Sequence, residues 1–178
     1  MAGGADVAAV ERFLARVQPD AAQRDYLQRV TGYCLATGNP EQVFFIFQGK
    51  GGDGKSTFLN AVAGALGDLV GDAQVQTFLE QDRRGAEASP DIAALAGATR
   101  LVKVSEPPKG AKLDEGAIKQ FTGGEPVTAR GLFKELFSFP FMATCIMSCN
   151  QIPEPRGQGR GMFTPLARNT PPDREREE

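Results

Sequence analysis

Gly49-Lys50-Gly51-Gly52-Asp53-Gly54-Lys55-Ser56 is the stretch whose residue types and spacing dictate chemistry most directly. It satisfies GxxxxGK[ST] at every fixed position. Glycines let successive backbone N–H groups converge on phosphate oxygens without Cβ clashes. A helix that follows such a loop aims its positive end at the same anion. Lys55 is then the residue that reaches the terminal phosphates, and the Ser56 hydroxyl is the one that holds Mg²⁺. Lys50 and Asp53 are read as loop residues on the solvent side.

Hydrolysis at such a loop needs an acid at the end of a neighbouring strand, to hold the metal through water and polarise the attacking water. The candidate is Glu106, which closes the run Arg100-Leu-Val-Lys-Val-Ser-Glu106. Ser105 could orient the same metal-bound water. Asp91 and Asp114 are rivals, although both sit where a helix cap or first-turn acid belongs. A polar residue at the end of a further strand would help to position water, and Phe141-Met-Ala-Thr-Cys-Ile-Met-Ser-Cys-Asn150 offers Asn150.

The chemistry available elsewhere is narrow. The 178 residues include no histidine. This excludes Ser-His-Asp triads, imidazole bases and His-containing zinc motifs. Cys34, Cys145 and Cys149 form no CxxC pair, which argues against a disulfide framework or a structural zinc site and suits a reducing cytoplasm. Cys145 and Cys149 lie four apart on one expected strand and read as small buried hydrophobes. The longest apolar run, Val43–Phe47, is far short of the ~20 residues that span a bilayer, and no signal peptide is evident. No membrane partner is expected.

Net charge is −2, and residues 1–170 are balanced. Any nucleic-acid site must therefore be local. Between Arg100 and Pro140 seven bases face five acids. Arg130 and Lys134 flank a hairpin with Phe133 between them, an arrangement that can touch a strand's phosphates and stack on a base.

The elements that must position these residues follow from periodicity. Residues 6–17 have helical apolar spacing with Asp6 as N-cap, and a second helix runs from after Pro19-Asp20 to about Thr37. Gln42–Gln48 is apolar without alternation, as suits a strand buried on both faces of a parallel sheet. The glycine loop follows, then a helix over 55–67. Residues 68–88 are poorly patterned, with Arg83-Arg84 expected at the surface. Ser89-Pro90-Asp91 opens a short helix. Ala98–Val104 and Phe141–Ser148 read as strands, Leu113–Phe121 as a helix and Val127–Phe139 as a hairpin. Three stretches result: an N-terminal helical lead-in over 1–40, an ATPase core over 41–152 and an irregular, disordered tail over 153–178.

The order of these motifs resembles the superfamily 3 helicase domain of phage, plasmid and poxvirus-type primase-helicases, over about residues 8–157. The resemblance rests on GKGGDGKSTFLNAVAGALGD (49–68), RLVKVSEPPKGAKLDEGAIKQFTGGEPVTAR (100–130) and SCNQIPEPRG (148–157). It implies an α/β P-loop NTPase of AAA+-like type, with a central, mainly parallel sheet preceded by N-terminal helices. It implies ATP and Mg²⁺ as cofactors, single-stranded DNA as partner and a homo-oligomeric, hexameric ring in the cytoplasm of a bacterial host. Gly49, Gly51, Gly52, Asp53, Gly54, Lys55, Ser56 and Thr57 match the family's nucleotide loop. Glu106 matches its acid, shared with Ser56 as metal site, and Asn150 matches its sensor. With Lys55 these two form the implied catalytic set. Lys119, Arg130 and Lys134 fall in the segment implied to meet DNA.

Two departures stand out. Asp53 replaces the usual Asn and adds a negative charge near the phosphates, which is expected to weaken affinity slightly. Thr164 and Pro165 stand where the family has a pair of arginines, and Arg156, Arg160 and Arg168 do not match that motif. The chain thus resembles a truncated helicase core with a low ATPase rate. A nucleotide- and DNA-binding remnant without turnover is the first alternative. A P-loop small-molecule kinase with a lid near Arg83-Arg84 is the second.

Overall fold

Phe44–Gln48 forms strand β1, and its side chains alternate between two apolar layers. Phe44 and Ile46 enter one layer, Phe45 and Phe47 the other. The computed structural model describes residues 7–80, 90–155 and 163–166. Within it the further strands are β2 (Val70–Ala73), β3 (Leu101–Val104), β4 (Lys112–Leu113), β5 (Pro126–Arg130), β6 (Leu136–Pro140), β7 (Thr144–Cys149), β8 (Glu154–Pro155) and β9 (Phe163–Leu166). The helices are α1 (Val7–Val17), α2 (Ala21–Tyr33), α3 (Lys55–Leu66), α4 (Pro90–Ala94) and α5 (Glu115–Thr122). The main sheet runs β2-β3-β7-β1-β9, with every neighbouring pair parallel. The fold is mixed α/β with a mainly parallel sheet behind N-terminal helices, as expected.

Alternation along β3 and β7 repeats that of β1. Val102, Val104, Cys145, Met147 and Cys149 join the Phe44 layer, where Phe78, Ile118 and Phe121 cover them. Leu101 and Ile146 join the Phe45 layer beneath Val30, Cys34 and Leu59. The shared side of Cys145 and Cys149 is therefore as the spacing predicts. Phe78 is fully buried, with ring centroids 5.2 Å from Phe44 and 5.0 Å from Phe121. Its loss would leave a cavity between the sheet and α5. Phe78→Ala is expected to lower the unfolding free energy by about 3–5 kcal/mol, read from a denaturant midpoint with unchanged slope.

Differences from the sequence reading have local causes. The second helix ends at Tyr33 instead of Thr37, because the chain folds back on itself there. The Tyr33 hydroxyl donates to Asn39 Oδ1, and Asn39 also bonds the backbone of Val43 on both its oxygen and its nitrogen. Strand β2 lies in the segment expected to be unpatterned. Val-Gly-Asp-Ala carries little apolar signal, yet it pairs parallel with β3 at the sheet edge. The loop before α5 holds β4, and Asp114 caps α5 by accepting from the Ala117 N–H at 3.0 Å. Two pieces of the expected irregular tail are paired: β8 with β4, and β9 with β1. Thr164 and Pro165 sit in register with Phe45 and Ile46. A proline has no N–H to give a ladder, so an edge strand suits it. The expected caps Asp6 and Ser89 lie outside the described residues, as do residues 156–162 and 167–178.

Candidate functional site

Three strand ends converge beside the glycine loop. Gly49 leaves β1, and its N–H donates to the Cys149 carbonyl at 3.1 Å. Gly52 and Gly54 take φ of 80° and 89°, left-handed values that suit glycine. Gly54 is the N-cap of α3, so Lys55, Ser56 and Thr57 make its first turn. The N–H groups of such a turn lack intrahelical partners and face an anion naturally. Glu106 lies two residues beyond β3, and Asn150 follows β7 directly.

Because β7 lies between β1 and β3, Asn150 stands between the loop and the acid. Its N–H donates to Glu106 Oε1 at 3.0 Å. Its Oδ1 accepts from Lys55 Nζ at 3.5 Å, at the limit of a hydrogen bond. Gly51–Thr57, Glu106 and Asn150 all line one open cavity of about 610 Å³, within the ~300–1,000 Å³ typical of ligand sites. Residues far apart in sequence thus meet at the carboxyl ends of parallel strands, where open α/β sheets place ligands. Gly49 lies at the entry to this loop, against Asp53.

Asp53 is not on the solvent side, as its loop position suggests. Both carboxylate oxygens accept from Lys55 Nζ at 2.8 Å. The two side chains are only 14% and 15% exposed. The tight turn at Gly52 and Gly54 folds the carboxylate back over Gly49, so a Cβ there would collide with Asp53 Oδ2. Lys50 remains exposed, and its carbonyl accepts from Lys55 Nζ at 3.2 Å.

The rival acids have other tasks. Asp114 caps α5. Asp91 Oδ2 accepts from the Gln74 N–H at 3.2 Å and faces an adjoining cavity of about 460 Å³. Ser105 Oγ accepts from the Val75 N–H at 3.2 Å. Among the described residues no cluster of three or more His, Cys, Asp or Glu could cage a metal. Ser56 and Glu106 would have to hold a cation together with water and ligand oxygens, which is the usual habit of Mg²⁺. One further group suits that arrangement. Ser148 Oγ is buried without a hydrogen-bond partner and lines both cavities beside Ser56.

Sequence reasoning found the helix α1 but missed its place beside the site. None of its residues is buried, yet Phe13, Arg16 and Val17 wall the Lys55 cavity. A Cβ on Gly54 would meet Val17 Cγ1 at 2.6 Å, so this helix rests against the loop. Its apolar stripe reads as ordinary core, and only the loop's glycines hint at so close an approach.

Burial raises all three thiols. Cys34 is pushed up to about 12 and Cys145 further still. Cys149 is pushed up to about 11, chiefly by burial; the Glu106 charge adds to this and the Lys55 charge opposes it.

Lys119, Arg130 and Lys134 lie apart from this cavity. Lys119 is in α5, 3.9 Å from Glu115. Arg130 ends β5, and Lys134 lies in the turn joining it to β6. At that turn Phe133 has φ 57° and is fully exposed, with Leu132 and Leu136 also exposed. Arg83-Arg84, Arg156, Arg160 and Arg168 lie outside the described residues. No helix among the described residues is long and apolar enough to cross a membrane.

The chain is similar to several known proteins. A family model described as a family of unknown function (DUF5906) matches residues 47–161. A protein of Acanthamoeba polyphaga mimivirus whose name proposes a helicase is 31% identical over 157 residues, covering 88% of this chain and 16% of that protein. A similarly named protein of Frog virus 3 (isolate Goorha) is 28% identical over 144 residues, 79% of this chain and 15% of the relative. The chain thus spans about one sixth of the length of these curated relatives. An apo structure of the NrS-1 C-terminal region superposes with a TM-score of 0.63 at 13% identity, covering 88% of this chain and 37% of the other.

Proposed function

This chain belongs to DUF5906, and from that premise we propose that it is the ATP-hydrolysing core of a superfamily 3 DNA helicase acting in replication. The observation that carries the reading is the convergence of Lys55, Glu106 and Asn150 at three adjacent strand ends, linked at 3.5 and 3.0 Å. The helicase names of the viral relatives support it; the P-loop assignment rests on the loop motif at the end of β1, and the AAA+-like one on the resemblance over residues 49–68, 100–130 and 148–157. Lys55 and the first-turn N–H groups of α3 bind the phosphates. Ser56 and Glu106 would hold Mg²⁺, which would neutralise phosphate charge. Glu106 takes a proton from the attacking water, and Asn150 orients that water from between the acid and the lysine. Single-stranded DNA threads a homo-oligomeric ring, and Lys119, Arg130 and Lys134 meet its backbone.

The test is hydrolysis of ATP by the chain with Mg²⁺, measured with and without single-stranded DNA. Stimulated turnover supports the helicase core; absence of both nucleotide binding and turnover overturns it. A second reading, binding without turnover, is favoured by two observations. Lys55 is tied to Asp53, and Thr164-Pro165 pairs as edge strand where the resemblance expects arginines. Nucleotide binding with no hydrolysis would select it.

The hairpin supplies a separate prediction. Phe133 projects fully from the turn between Arg130 and Lys134, and a base stacked on an aromatic is worth about 1–3 kcal/mol. Phe133→Ala is expected to weaken single-stranded DNA binding by that amount, with unchanged melting temperature, as read by fluorescence anisotropy.

A further inference from the structure

Lys55 has three N–H donors and already has protein oxygens around them. Asp53 takes two contacts at 2.8 Å, the Lys50 carbonyl lies at 3.2 Å and Asn150 Oδ1 at 3.5 Å. The Asp53 carboxylate also accepts from the Lys55 backbone N–H at 3.3 Å. One carboxylate therefore holds both the side-chain cation and an N–H of the helix terminus, the two groups that recognise phosphate in such a loop. It is tethered two residues away and both partners are largely buried, so solvent screens the pair less than a surface pair.

We propose that Asp53 is a specificity-determining residue: an internal anion on Lys55 that a ligand must displace to bind. The inference rests on the nucleotide-binding reading above and adds a selection rule to it. A ligand that offers only one or two phosphate groups and no nucleoside cannot offset loss of the tethered pair. A nucleoside triphosphate with Mg²⁺ brings several phosphate oxygens, a metal and a nucleoside into the same cavity, and these contacts together displace the carboxylate. The site thus discriminates against orthophosphate and pyrophosphate by competition. It needs no steric gate to do so.

The test is calorimetric titration of the full chain and of Asp53→Asn with three probes in Mg²⁺: a non-hydrolysable ATP analogue, pyrophosphate and orthophosphate. Asn keeps the side chain's shape and removes its charge, and Asp53→Ser serves as a second neutral variant. The analogue is expected to bind the neutral variants about tenfold more tightly. Pyrophosphate is expected to bind them measurably while the parent chain shows no heat. Equal or weaker analogue binding by both neutral variants, with the parent chain binding normally, overturns this inference and leaves the proposed function standing. If neither parent nor variants bind the analogue, the nucleotide reading fails and the inference falls with it.

Discussion

Lys55→Ala is expected to abolish detectable ATP binding and to lower hydrolysis by on the order of 10²–10³-fold, the cost of removing a preorganised charge from a phosphate site. Two effects act in the same direction. The variant removes the cation at the head of α3, and it also strips Asp53 of its partner. A carboxylate that has lost its counter-charge, and keeps only the backbone N–H of position 55, then faces the place where phosphate would sit. The double variant Lys55→Ala with Asp53→Asn separates these effects. If most of the loss comes from the exposed carboxylate, the second change restores part of the binding; if it comes from the missing ammonium, the double variant stays inactive. Retention of the parent ATPase rate by Lys55→Ala would defeat the whole assignment. A melting curve close to that of the parent keeps the result interpretable, because Lys55 contributes to neither apolar layer.

Glu106→Gln is expected to divide binding from turnover. Gln keeps a carbonyl oxygen that can still accept from the Asn150 N–H, so the join between β3 and β7 survives. It lacks the negative charge needed to take a proton from water. Hydrolysis should fall by about 10²–10⁴-fold, the usual contribution of a positioned general base. Affinity for an ATP analogue should remain within a few-fold of the parent. Ordinary turnover by Glu106→Gln would move the general-base role to another group. Loss of binding together with turnover would mark Glu106 as chiefly a metal or structural residue.

The buried strands and the loop were legible because each has a strong local signal. Phe44–Phe47 and Cys145–Met147 are apolar at consecutive positions, as suits short strands covered on both faces. The edge strands were not legible. Val70–Ala73 includes Gly71 and Asp72, and Phe163–Leu166 includes Pro165; pairing with β3 and β1 overrides weak propensity in both. At the site, the placement of Lys55, Glu106 and Asn150 at the ends of elements was legible because each follows or opens a regular element. The inward turn of Asp53 was not, since it depends on dihedral angles at the flanking glycines. Neither was the approach of α1, because a stripe containing Phe13 and Val17 looks the same whether it covers a core or a binding cavity.

The three thiols have a practical corollary. Cys34, Cys145 and Cys149 are all buried, and burial keeps them protonated well above neutral pH. Alkylating dyes need an accessible thiolate, so the folded chain is a silent background for labelling. A single reporter introduced by Phe133→Cys at the hairpin tip would carry the only reactive sulfur. The tip's movement could then be followed optically while the sheet and its layers stay unmodified.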